Sequence, residues 1–148
     1  RAPVDLVCVI DHSGSMAGEK IELVKGSFDY LLEYLIEDDR LSIVIFDDRV
    51  ARLTPLLRMT QKNKEKTLRV LKPVSGEGGT NIDLGLRKAF QILKCRRYFN
   101  PVTSIFLLSM DLIMVLKPES KKVSRNSTSK RASLFTVLDS AMTMILSS

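Results

Sequence analysis

Two hydrophobic periods alternate along this chain. Residues 4–10, "VDLVCVI", are apolar apart from Asp5, the habit of a parallel strand covered on both faces. From Ile21 the period lengthens. Ile21, Val24, Phe28, Leu31, Leu32, Leu35 and Ile36 fall on one stripe, with Glu22, Lys25, Asp29 and Glu33 outside it. That spacing predicts an amphipathic helix, ended by "EDDR". "LSIVIF" at 41–46 reads as a second buried strand, and "RVARLTPLL" at 49–57 as an edge strand, because it alternates and contains Pro55. "TQKNKEKTLRVLKPV" at 60–74 predicts a short basic helix capped by Thr60 and stopped by Pro73. A glycine-rich loop, "SGEGGT" at 75–80, leads into a helix marked by Ile82, Leu86, Ala89, Phe90 and Leu93. "PVTSIFLLS" at 101–109 returns as a buried strand. Strands alternating with helices predict an α/β fold, doubly wound on a mostly parallel sheet, with ligands collecting beyond the carboxyl ends of the strands.

Composition adds boundaries to this picture. With 148 residues, 45% of them hydrophobic, the chain can build one domain with a real core. The formal net charge of +6 does not indicate a nucleic-acid surface, because aromatics are 6% and no known motif interleaves with the positives. Residues 1–109 hold 17 Lys/Arg and 14 Asp/Glu, and residues 110–148 hold six and three, so the last segment is disproportionately basic. Two cysteines, Cys8 and Cys95, make no disulfide framework and read as buried or half-buried thiols in a reducing compartment. No leader precedes the first strand and no apolar run is long enough to span a membrane. These features predict an intracellular, cytoplasmic location, and the opening at Arg1 predicts excision from something longer.

The chemistry lies where the first strand ends. "DHSGSM" places Asp11, Ser13 and Ser15 in alternation around Gly14. A carboxylate and two hydroxyls at a sheet mouth are hard oxygen ligands, suited to Mg²⁺, Mn²⁺ or Ca²⁺ and not to zinc or copper. Taken singly, each element has an ordinary alternative: Ser13 and Ser15 can cap the next helix, and "GEGGT" can be a turn with Thr80 as a cap.

"DHSGSM", then "GGTNI", then a strand ending "IFLLS", resembles the von Willebrand factor type A domain over residues 3–109. The family's metal-ion-dependent adhesion site uses a DxSxS loop, a Thr from a second loop and an Asp from a third. The resemblance implies that Ser13 and Ser15 bind the ion directly, Thr80 directly or through water, and Asp11 mainly through water. It implies adhesion without turnover: the ion keeps an open position that a partner protein's Asp or Glu carboxylate completes. His12 reads as an exposed rim residue and Asp83 as the cap of its helix. "RAPVDLV" and "LLRMT" are similar to the A domains of intracellular multidomain proteins, some of which carry RING-type zinc modules.

After Ser109 the family pattern breaks. Where the third loop should read "LLSDG", this chain reads "LLSMDLIMVLK", with Met110 in the place of the Asp and Asp111 one position late. Residues 1–109 therefore read as a C-terminally incomplete core, and 110–148 as a poorly ordered, non-family tail. A single-base shift accounts for the break. Methionine has one codon, so Met110 before an Asp codon gives Gly in the shifted frame, and Ser109 written TCG gives Asp before it. With free bases chosen to fit, 133–148 can likewise be read as a further strand and loop. Two rivals to the adhesion module follow: a metal-dead scaffold or pseudogene-like product, favoured by the missing Asp, and a Mg²⁺-dependent hydrolase. Against the hydrolase stand the lack of a second acidic cluster, of a P-loop and of G-x-S-x-G, and the single His.

Overall fold

The computed structural model describes residues 1–109, 112–116, 123–127 and 132–146. Seven strands form one mixed sheet: β1 (Val4–Asp11), β2 (Arg40–Phe46), β3 (Val50–Arg52), β4 (Leu57–Arg58), β5 (Val102–Ser109), β6 (Leu112–Leu116) and β7 (Val123–Ser127). Their order is β3-β2-β1-β5-β6-β7, with β4 also paired to β2. The long strands β2, β1 and β5 run parallel at the centre, and β3, β4 and β6 pair antiparallel with their neighbours. Four helices accompany them: α1 (Glu19–Tyr34), α2 (Gln61–Leu71), α3 (Ile82–Lys94) and α4 (Ala132–Leu146).

Strand alternation sorts the core into two halves. Leu6, Cys8 and Ile10 of β1 point to the face covered by α1, α2 and α4, where they meet Phe28, Leu31, Leu71 and Met142. Val7 and Val9 point to the other face and meet Ala89, Ile92 and Leu93 of α3. Every residue of β1 is buried, which is why its sequence is nearly all apolar. Asp5 and the terminal Asp11 are the exceptions, and Asp5 lies within the strand. It is fully buried and accepts from Arg40 Nε at 2.7 Å, from a terminal nitrogen of Arg40 at 2.6 Å, from Arg96 at 2.8 Å and from the Asn100 amide at 3.2 Å.

The stretch 49–57 is two short strands rather than one. Pro55 has no N–H to give to a ladder, and pairing is interrupted there. Thr54 fills the gap: its Oγ1 accepts from Ile43 N at 3.0 Å and its carbonyl accepts from Ser42 Oγ at 2.6 Å. Thr60 caps α2 as its sequence predicts, accepting from Asn63 N at 3.2 Å. Asp83 does not cap α3. Asn81 does, through Leu84 N, and Asp83 instead pairs with Arg87 at 2.7 Å. Cys8 is buried, which pushes its thiol pKa up, whereas Cys95 at the end of α3 is exposed; both are free.

Beyond Ser109 the sequence pattern predicts a bare sheet edge and no regular structure, yet the described residues there form β6, β7 and α4. Strand β6 pairs antiparallel with β5, so β5 is not an edge. In α4, Leu138, Ala141, Met142 and Ile145 are buried and recur at i, i+3, i+4 and i+7, a helical stripe hidden in the high overall hydrophobicity of the segment. Asp139 on this helix accepts hydrogen bonds from the Tyr30 and Tyr34 hydroxyls of α1.

Candidate metal centre

Parallel strands deliver their carboxyl ends to one edge, and Asp11 is the last residue of the central one. Its side chain is fully buried and held from two sides. Ser13 N donates to Oδ1 at 2.8 Å, and Ser109 Oγ, at the end of β5, donates to Oδ2 at 2.6 Å. The first bond is an Asx-type turn that reverses the chain immediately after the strand. A short 3-10 turn, Gly14–Met16, follows and is anchored by buried Met16. This places Ser13 Oγ 2.9 Å from Ser15 Oγ, the first hydroxyl buried and the second exposed.

Neither serine caps a helix. The residue before α1 is Gly18, at φ 78°, with no side-chain cap, and Ser13 makes no capping bond to the 3-10 turn. The ordinary explanation for these two hydroxyls is therefore absent, and both face each other at the sheet edge.

The glycine-rich loop docks onto this turn through its backbone. Glu77 N donates to His12 O at 2.8 Å, Gly14 N donates to Gly78 O at 2.9 Å, and Asn81 N donates to Asp47 O at 2.7 Å. Two glycines permit the approach. Gly78 sits at φ 80°, and a Cβ on Gly76 would fall 2.4 Å from Ala17 N. Thr80, two residues past Gly78, is exposed at the same edge and makes no hydrogen bond among the described residues. Asp11, Ser13 and Ser15 are thus brought together by direct hydrogen bonds, whereas Thr80 is tied to them only through the backbone contacts of its loop neighbours Glu77, Gly78 and Asn81. Met110 and Asp111 lie outside the described residues.

Two neighbours of the site, Ser109 and Asp47, are not singled out as such by the sequence pattern, and a third, His12, is placed differently from its expected exposed rim position. Ser109 fixes the Asp11 carboxylate, as above. His12 is half-buried rather than exposed at the rim. Its Nδ1 lies 3.2 Å from Ser75 O and its Nε2 3.9 Å from Asp47 Oδ2. Asp47, buried at the end of β2, accepts from Arg49 N at 2.7 Å, and this bond holds its carboxyl below the usual carboxylate range, with nearby His12 acting in the same direction. "FDD" after a buried strand was the available signal; its acids were not distinguishable from ordinary loop acids without the fold.

The Asp47 shift has a sign that can be tested. Its folded-state pKa is lower than in the unfolded chain, so the stability it contributes is fully present above about pH 4 and is lost as pH falls through the folded value. Asp47→Asn is expected to flatten the loss of stability as pH falls below about 4, followed by urea denaturation. An unchanged slope would place the acid sensitivity elsewhere.

The comparisons with known proteins bear on this geometry directly. Residues 6–111 match the model of the von Willebrand factor type A domain. The chain belongs to that family. It is 39% identical over 121 residues to the E3 ubiquitin-protein ligase WAVH1 and 43% identical over 110 residues to the E3 ubiquitin-protein ligase WAV3, both from Arabidopsis thaliana. Each alignment covers 74% of this chain but only 18% and 15% of those proteins, which are much larger. Among solved structures, the vWF domain of the type V pili tip protein Mfa5 from Porphyromonas gingivalis superposes with a TM-score of 0.65 at 23% identity, over 76% of this chain and 39% of that one. At that identity the likeness establishes the fold alone. As a type A domain the chain is a protein-binding module.

The donor set of this A domain suits a small hard cation. The two serine hydroxyls are separated by 2.9 Å. Among the described residues no group of three or more His, Cys, Asp or Glu side chains is placed to hold a metal.

Proposed function

We propose that this A domain binds a partner protein through a divalent ion, Mg²⁺ first, held at the edge formed by Ser13, Ser15 and Thr80 with Asp11 behind them. The observation that carries this reading is a fully buried carboxylate, Asp11, followed at the carboxyl edge of the parallel strands by two serine hydroxyls that cap no helix. The ion would supply a positive site for an Asp or Glu carboxylate of the partner. The chain's own residues set the rest: Ser109 and the Ser13 amide orient Asp11, and the docked 75–80 loop positions Thr80.

The module catalyses nothing in this reading; it recruits. Its relatives are far longer than the matched segment, two of them named as ubiquitin ligases, so the domain serves as the partner-holding part of a larger intracellular, cytoplasmic protein. In this reading a single-base shift after Ser109 displaces the family pattern, although the family match itself runs to residue 111, and sequencing the transcript across the Ser109 codon tests that. An uninterrupted frame with no nearby base loss sinks it.

The replacement of the third-loop Asp by Met110 favours a second reading, a metal-free scaffold. Titration with Mg²⁺ or Mn²⁺ separates the two. A ligand that binds only the folded state adds RT ln(1 + [L]/Kd), about 2.7 kcal/mol at 100 times Kd. The melting temperature is expected to rise with metal in the native chain and to stay flat in Ser13→Ala. No rise in either favours the scaffold, and metal-dependent turnover of a generic phosphoester would favour the hydrolase instead.

A further inference from the structure

The end of the sheet opposite the metal edge carries a feature that the adhesion site does not use. The loop between α3 and β5 reads "CRRYFNP", and its two aromatic side chains point to solvent: Tyr98 is 77% exposed and Phe99 67%. Phe90, one turn before Lys94 on α3, is 45% exposed. Exposed aromatics on a loose loop would be unremarked. This loop is not loose.

It is tied to three neighbouring segments, through buried Asp5 and Val4, half-buried Arg40 and exposed Asp38. Arg40, whose guanidinium is locked on Asp5, donates to Tyr98 O at 2.5 Å. The Asn100 amide donates to Asp5, and its side chain donates to Val4 O at 3.2 Å and to Asp38 O at 2.9 Å. Arg96, bonded to Asp5 and to Thr103, lies 4.4 Å from the centre of the Phe99 ring. The fully buried Asp5 thus fixes both arginines that hold the loop. The result is a rigid display of two rings, whose ordering cost is met in folding and not on binding.

Charge decides what the display fits. No Asp or Glu occurs between Asp83 and Asp111, while Arg87, Lys88, Lys94, Arg96 and Arg97 all fall in that interval. Arg87 and Arg96 are paired with Asp83 and Asp5. Lys94 and Arg97 are exposed beside the rings. Aromatic side chains with neighbouring cations are the composition of interface anchors, and they complement a partner that alternates acidic with apolar residues.

We propose that Tyr98, Phe99 and Phe90, flanked by Lys94 and Arg97, form a second docking surface for an acidic, apolar-bearing protein segment. Strand β1 spans eight residues, so this surface lies about 23 Å from the metal edge and is independent of it. The two surfaces let one A domain hold two partners at once, one through an ion and one through aromatic anchors.

The test uses the full chain and a fluorescein-labelled peptide alternating Glu with Leu and Phe, read by fluorescence anisotropy. Binding is expected to weaken at least about tenfold in Tyr98→Ser and in Arg97→Glu, and to weaken as NaCl is raised to about 0.5 M. Ser13→Ala and removal of divalent ions should leave it unchanged, which separates this surface from the metal edge. Arg97→Glu touches neither Asp5 nor the Phe99 ring, so loss there is not a folding defect; thermal melts confirm the fold of both variants. Amide chemical shifts on peptide addition should concentrate at 90–99. Absence of binding, equal binding by both variants, or shifts concentrated elsewhere would overturn the proposal. Retention on phosphatidylserine vesicles without peptide binding would also overturn it and assign the surface to a membrane.

Discussion

Replacing Asp5 with alanine is expected to destabilise the fold by about 3–5 kcal/mol, one of the largest effects of any single substitution in this chain. Asp5 is fully buried in the central strand and is the anion for two arginines whose side chains are only 15% and 11% exposed. Alanine leaves both guanidinium groups without a counter-charge and the Asn100 amide without its acceptor. For a domain of this size the melting temperature should fall by about 10 °C. Asp5→Asn keeps the volume but turns an amide donor toward arginine donors, so it should lose nearly as much. Urea denaturation of both variants measures the change. A loss under about 1 kcal/mol would mean that water replaces the carboxylate at no great cost. Because the same contacts pin the 96–100 loop, Asp5→Asn should also weaken peptide binding there, beyond what its lowered stability alone explains.

Restoring an aspartate at the third loop, Met110→Asp, is expected to strengthen Mg²⁺ and Mn²⁺ binding on the order of 100-fold. Outer-shell changes around metal ligands alone are worth about 10–100-fold, and a family carboxylate regained beside a divalent ion is worth at least the upper part of that range. Isothermal titration reads the change directly. Asp111 supplies the control. If the chain already uses Asp111 in place of the missing residue, Met110→Asp adds little and Asp111→Asn abolishes binding. If neither substitution alters metal binding, the third loop plays no part in it, and Ser13, Ser15 and Thr80 account for whatever affinity the chain has.

Much of the architecture was legible because burial and period are coupled. Strands β1, β2 and β5 are buried on both faces, so their sequences had to be apolar, and helices α1 and α3 each bury one stripe, so theirs had to repeat at helical spacing. The predicted boundaries fall within two residues of the observed ones for all five of these elements. The loop after β1 stood out for another reason: Asp-x-Ser-x-Ser at a strand end gathers a carboxylate and two hydroxyls, all hard oxygen donors. Prediction failed where a residue's role depended on what lay across the fold. Ile36 shares the stripe of α1 but lies two residues beyond its end and is 46% exposed. His12 looked like a rim residue and is half-covered by the 75–80 loop and Asp47. In 134–148, "LFTVLDSAMTMILSS", nearly continuous hydrophobicity hides the stripe of Leu138, Ala141, Met142 and Ile145 until a neighbouring element selects one face.

By itself the sequence determined the α/β class, the order of the main elements up to Ser109, and the presence of a carboxylate and two hydroxyls at one strand end, because each of these follows from local period and side-chain chemistry. Tertiary structure alone decided that the two serines are spared from capping, that Ser109 reaches 98 residues back along the chain to hold Asp11, and that a single buried carboxylate rigidifies an exposed aromatic loop. Those are contacts between distant parts of the chain. They depend on which strands lie side by side, and no local pattern of residues encodes that adjacency.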